Sequence, residues 1–113
     1  MTMIYHMANR PDWEQALKDG KYEGTAMDKA DGYMHFSTAQ TIEGSAAKHR
    51  AGETDLILLI VSSEKMEGKL VWEPARGGIL FPHLYEALDV TLVDQTVPLP
   101  LGDDGLHIFP ELA

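Results

Sequence analysis

No cysteine occurs among the 113 residues of this chain, which excludes disulfides, thiolate catalysis and every zinc site that needs sulfur. Long apolar runs are missing too. Nothing approaches the roughly 18 residues that span a bilayer, and the start shows no basic segment followed by a signal-peptide core. A cytoplasmic protein with no membrane partner is the expectation. Positive charge is scarce, with nine Lys and Arg against 18 Asp and Glu and a formal net charge of −9. That is the wrong sign for holding a phosphate backbone through counterion release, so no nucleic-acid partner is expected. Also missing are a Walker loop, a dinucleotide glycine fingerprint and a nucleophile elbow. Gly77-Gly78 stands alone and reads as a hairpin turn. The hydrophobic content of 44% suits one compact domain over residues 1–113.

What is present divides into a helical front and a strand-rich remainder. Met3 to Met7 reads as a first strand. Pro11 fits the first helical position, and Trp13, Ala16 and Leu17 share a face up to Gly20. A loop from Lys21 to Lys29 is expected next, then a turn at Asp31-Gly32 and a strand over Tyr33 to Phe36. Ser37 or Thr38 offers an N-cap for a second helix over Thr38 to Arg50, with Gly52 placed as its C-terminal glycine. Leu56 to Val61 (Leu-Ile-Leu-Leu-Ile-Val) is continuously apolar, the pattern of a central strand buried on both faces. Short strands are expected at Leu70 to Glu73, at Ile79 to Phe81 closed by Pro82, and at Val90 to Val93, with an edge strand at Leu106 to Phe109. The sum is an α+β domain, two helices near the N-terminus packed on a curved, mostly antiparallel sheet.

The densest chemistry lies in Asp31-Gly32-Tyr33-Met34-His35-Phe36-Ser37-Thr38, where a strand would deliver a histidine and two hydroxyls to its junction with a helix. His6 at the end of the first strand and His83 in Phe81-Pro82-His83-Leu84-Tyr85-Glu86 share that context of apolar or aromatic neighbours near a strand end. There an imidazole can be held in one tautomer as acid, base or donor. Each taken alone also reads as a partly buried histidine satisfied by backbone. No histidine pair shows the short spacing of metal ligands, so no metal is expected. His49 reads as solvated and His107 as outward-facing. Glu73 and Glu86 either reach the histidines or sit in solvent, and Tyr5, Trp13, Trp72 and Phe81 read as core or pocket walls.

Several motifs in order, Ile4-Tyr5-His6, Trp13, Gly20-Lys21-Tyr22, Asp31 to Ser37, Gln40, the Asp55 to Val61 strand, Trp72-Glu73 and Phe81 to Tyr85, resemble the small bacterial family catalogued as domain of unknown function 952. That family in turn resembles the ADP-ribosyltransferase-like fold. The resemblance implies a cleft for NAD or an ADP-ribose-like nucleotide, NAD being a substrate rather than a resident cofactor, with His6 as the first motif residue and His35-Phe36-Ser37 as the second. It implies His6, His35 and Glu73 as catalytic residues, and Ser37, Thr38, His83, Tyr85 and Arg76 as substrate contacts. Neither Glu73 nor Glu86 sits in the Glu-x-Glu context of the third motif. Arg10, Lys29, Arg50 and Arg76 are the candidates for a pyrophosphate clamp. Any enzyme of this kind would be a transferase or glycohydrolase acting on such a nucleotide. The alternative is a non-catalytic module that kept the fold and binds a small metabolite or a protein.

Overall fold

The computed structural model describes residues 2–112, with the backbone alone at Arg76. In chain order the elements are β1 (Met3–Asn9), α1 (Arg10–Asp19), β2 (Lys21–Tyr22), α2 (Ala26–Asp31), β3 (Met34–His35), α3 (Ile42–His49), β4 (Leu56–Ser62), β5 (Leu70–Pro74), β6 (Leu80–Leu84), β7 (Leu88–Asp89) and β8 (Val93–Leu99). Short 3₁₀ turns occupy Ser63–Met66, Arg76–Gly78 and Val90–Leu92. The strands form three antiparallel sheets, ordered β1-β4-β8, β2-β7 and β3-β6-β5.

β4 is the expected central strand, and its near-continuous apolar run follows from having a core on each face. Side chains alternate along a strand, so Leu59 and Val61 join Ile4 and Ala8 of β1 and Trp13 and Ala16 of α1. Leu56, Leu58 and Ile60 point the other way, to Tyr5 and to Ile42 of α3. Each such side chain taken fully out of water stabilises the fold by about 1.5–3 kcal/mol. Hydrogen bonds at 2.8 Å in both directions between the backbones of Tyr5 and Ser37 tie β1 to the segment after β3, and so bring the third sheet against the first.

In that third sheet His35 lies opposite His83, and His83 opposite Val71. The three therefore share one face, with Phe81 and Glu73 as the next cross-strand pair on it. The other face carries Met34, Leu84 and Leu70 into the core with β4. One strand period thus decides that the histidines look into a cleft while their neighbours fill the interior.

Several expectations from sequence need correction. Among the described residues there are three α-helices, because Thr25 and Asp28 form a capping box that starts α2 inside the expected loop. α3 begins at Ile42 with Thr41, not Ser37 or Thr38, as its N-cap. Ser37 is engaged by Tyr5, and Thr38 turns back onto Thr41. The single curved sheet is three sheets. β6 runs through Pro82 rather than stopping at it: Pro82 pairs with Trp72 of β5, and the side on which it lacks an N–H faces β3 just past that strand's two-residue ladder, where its carbonyl still accepts from Phe36 N at 3.0 Å. Val90–Leu92 is a 3₁₀ turn led by Asp89, whose carboxylate accepts from Thr91 N, and the strand begins at Val93. Leu106 to Phe109 makes one isolated bridge, Leu101 to His107. His107 is buried and donates through Nε2 to the Glu53 carbonyl at 2.7 Å. Trp72 is exposed.

Candidate functional site

His6, His35 and His83 converge on one cavity of about 120 Å³, lined also by Ser37, Phe36, Phe81, Asp28, Arg50 and His49. β1 supplies His6, whose ring is buried edge-on against Tyr22 and beside Phe36. Its Nδ1 lies 2.7 Å from the carbonyl of His35, and its Nε2 2.9 Å from the Tyr22 hydroxyl. A carbonyl can only accept, so Nδ1 carries the proton, and Nε2 of the neutral ring accepts from Tyr22.

Asp28 organises this wall. Its side chain is buried, and Oδ2 accepts from Thr25 N at 2.7 Å and lies 3.6 Å from His6 Nε2. Oδ1 accepts from both the backbone and the ring of His35, at 3.0 and 2.5 Å. The other ring nitrogen of His35 lies 3.0 Å from Asp31 Oδ2. With a carboxylate at each nitrogen, both nitrogens donate and the ring is an imidazolium.

Beside His35 on the same sheet face, His83 donates through Nδ1 to Glu73 Oε1 at 2.8 Å, and Tyr85 donates its hydroxyl to the same oxygen at 2.6 Å. The Tyr33 ring stacks on His83 with centroids 4.2 Å apart and planes 27° apart. The hydrogen bond from Tyr85, then that from His83, holds the Glu73 carboxyl below its usual range, and the same contact with Glu73 pushes the Tyr85 phenol up to about 12. The His35 and His83 rings meet edge to face, 5.5 Å between centroids.

The structure therefore gathers His6, His35, Ser37 and His83 at one cavity. Glu73 and Tyr85 stand behind His83, and Thr38 bonds to Thr41 and is not part of the cavity wall. The side chain of Arg76 lies outside the described residues. Arg50 does line the cavity, but its guanidinium donates to the Met7 carbonyl, Asn9 Oδ1 and Glu53. Arg10 pairs with Asp55 and Glu14 at the surface. Among the described residues no group of three or more His, Asp and Glu side chains could hold a metal ion, and no helix is long and apolar enough to cross a membrane. Asp28 and Tyr33 were not singled out as site residues by sequence reasoning. The Thr25-x-x-Asp28 spacing was the available signal for Asp28, and it marks a helix start rather than a site.

The charges of this wall make stability depend on pH in two directions. Burial pushes the His6 pKa below its reference of 6.5, against an opposing pull from Asp28. The hydrogen bond to Asp28 raises His35 above the same reference, with burial opposing. Burial disfavours ionised Asp28, yet the bonds from His35 and Thr25 and the nearby His6 hold it below 3.8. A lowered folded pKa gives stability that is present above the unfolded value and lost as pH falls through the folded one. A raised folded pKa gives stability that is present below the unfolded value and lost as pH rises through the folded one. His6 thus costs stability on the acid side of 6.5 and His35 on the alkaline side, with Asp28 adding a further acid loss below 3.8. Urea-unfolding free energy is expected to peak near the shared histidine reference, and His35→Gln to remove the alkaline fall while keeping the acid one. A profile unchanged by His35→Gln would contradict the assigned charge.

A family profile described as Protein of unknown function (DUF952) matches residues 7–96. The chain belongs to this family. No functionally curated protein matches it significantly. This DUF952 chain is similar to the crystal structure of protein CC0527 from Caulobacter crescentus, at 40% identity and a TM-score of 0.92 over 95% of this chain and 94% of that one. The solution structure of CC0527 is also similar, with 42% identity and a TM-score of 0.84 over 94% and 91% of the two chains. The α+β architecture is therefore shared by CC0527, a protein solved by two experimental methods.

Proposed function

We propose that the histidine-lined cleft binds the sugar end of a nucleotide of the NAD or ADP-ribose type, as an enzyme or former enzyme with an ADP-ribosyltransferase-like fold. The observation that carries this reading is the convergence of His6, His35 and His83 on one cavity, from strands whose register makes two of them cross-strand partners. The cavity of about 120 Å³ is smaller than the roughly 300–1,000 Å³ of a pocket that encloses a whole drug-sized ligand. It takes one ring-sized group, and the phosphates stay at the mouth. That fits Arg50, whose guanidinium is already engaged with the main chain and its neighbours. Breaking a nicotinamide–ribose bond builds positive charge on the sugar, and three carboxylates, Asp28 on the cavity wall and Asp31 and Glu73 paired with its histidines, outnumber the one imidazolium there.

The test is thermal denaturation of the intact protein with NAD and with ADP-ribose. At about 100-fold excess over Kd a ligand adds about 2.7 kcal/mol, a rise of several degrees in Tm. No shift with either nucleotide at millimolar concentration would defeat the reading.

A further inference from the structure

We infer that His83, rather than His35, is the base of the cleft, with Nε2 as the atom that accepts a hydrogen bond or proton from a ligand hydroxyl and Glu73 as its positioning residue. The inference rests on the reading that the cleft takes the sugar end of a nucleotide, and it follows from an inventory of six ring nitrogens. Both nitrogens of His6 are committed, one to the His35 carbonyl and one to Tyr22. Both nitrogens of His35 face carboxylates, Asp28 and Asp31. A ring held in this way has no lone pair to offer, and its charge balances the wall around it.

His83 differs. Its Nδ1 donates to Glu73, while Nε2 has no hydrogen-bond partner among the described residues, and the ring lines the cavity. A carboxylate behind one imidazole nitrogen fixes the proton there and leaves a lone pair on the other, the arrangement a general base requires. Glu73 is itself held, since Tyr85 donates to the oxygen that receives His83. Tyr33 clamps the plane of the ring by stacking on it. When a sugar hydroxyl or a water reacts, its O–H bond breaks, the proton passes to Nε2 and the electron pair stays on oxygen. Ser37, on the same cavity wall, donates its hydroxyl to Ser45 and does not compete for that lone pair.

Histidine side-chain ¹⁵N–¹H correlation spectra of the full chain, under mildly alkaline conditions, test this without any ligand. His83 is expected as the neutral Nδ1–H tautomer with a lone pair on Nε2, and Glu73→Ala is expected to shift it toward Nε2–H while His6 keeps its Nδ1–H form. A His83 protonated at Nε2 in the wild type, or a tautomer that Glu73→Ala leaves unchanged, overturns the assignment. A binding arm uses His83→Phe, which keeps an aromatic ring against Tyr33 but has no nitrogen, with ADP-ribose as the probe. Binding roughly tenfold weaker than wild type, the loss of one well-placed hydrogen bond, is expected. Equal binding to both proteins overturns the role of His83 and leaves the nucleotide reading intact. Absence of binding to the wild type overturns the nucleotide reading, and the tautomer result then decides the base.

Discussion

Asp28→Ala is expected to destabilise the protein by roughly 3–5 kcal/mol, the range for removing one partner from a buried ion pair. Asp28 is 2% exposed, and its two oxygens accept from Thr25 N, His35 N and the His35 ring. Alanine would leave two backbone donors and an imidazolium without their acceptor, and would remove the capping box that starts α2. For a chain of this length the loss corresponds to a Tm lower by about 10–20 °C. Asp28→Asn keeps an acceptor oxygen and is expected to lose less. Chemical denaturation of both variants checks the order, and an Asp28→Ala protein within about 1 kcal/mol of wild type would show that Asp28 does not organise the wall.

Gly24→Ala is expected to damage the same wall from the other side. Gly24 is buried with φ +96°, and a Cβ there would stand 2.6 Å from Asp28 Oδ2 and 2.8 Å from Asp28 Cβ. The carboxylate cannot swing away cheaply, because Thr25 N holds Oδ2 and His35 holds Oδ1. Left-handed strain of about 1–2 kcal/mol and displacement of the carboxylate together predict a loss of roughly 2–4 kcal/mol. Gly32→Ala is the comparison: φ is +86°, but nothing lies within 4 Å of the added Cβ, so only the backbone strain remains. Equal denaturation midpoints for the two variants would contradict the close approach.

β4 was legible because seven residues packed on both faces leave a continuous apolar signature. α1 was legible from Pro11, the spacing of Trp13 and Ala16, and Gly20 in the left-handed region. α2 was not, since six residues are too few to show a helical period and only its capping pair marks it. The strands of the third sheet were legible but their bounds were not: β3 has two residues, and β6 continues through a proline that usually ends a strand. The three histidines were legible as candidates because each stands near a strand end among aromatics. Their ranking was not, because it depends on which ring nitrogens are already bonded. His35 sits in the densest polar motif for that very reason, between Asp28 and Asp31, and the motif that draws the eye is the one whose donors are all in use.

The most direct test of the cleft is a ¹⁵N–¹H backbone titration of the intact chain with ADP-ribose. Shift changes are expected to concentrate on Tyr33, Ser37, Phe81 and His83 and to saturate. No change at millimolar ADP-ribose, or changes confined to the acidic groove of Asp12, Asp19 and Glu23, would contradict it.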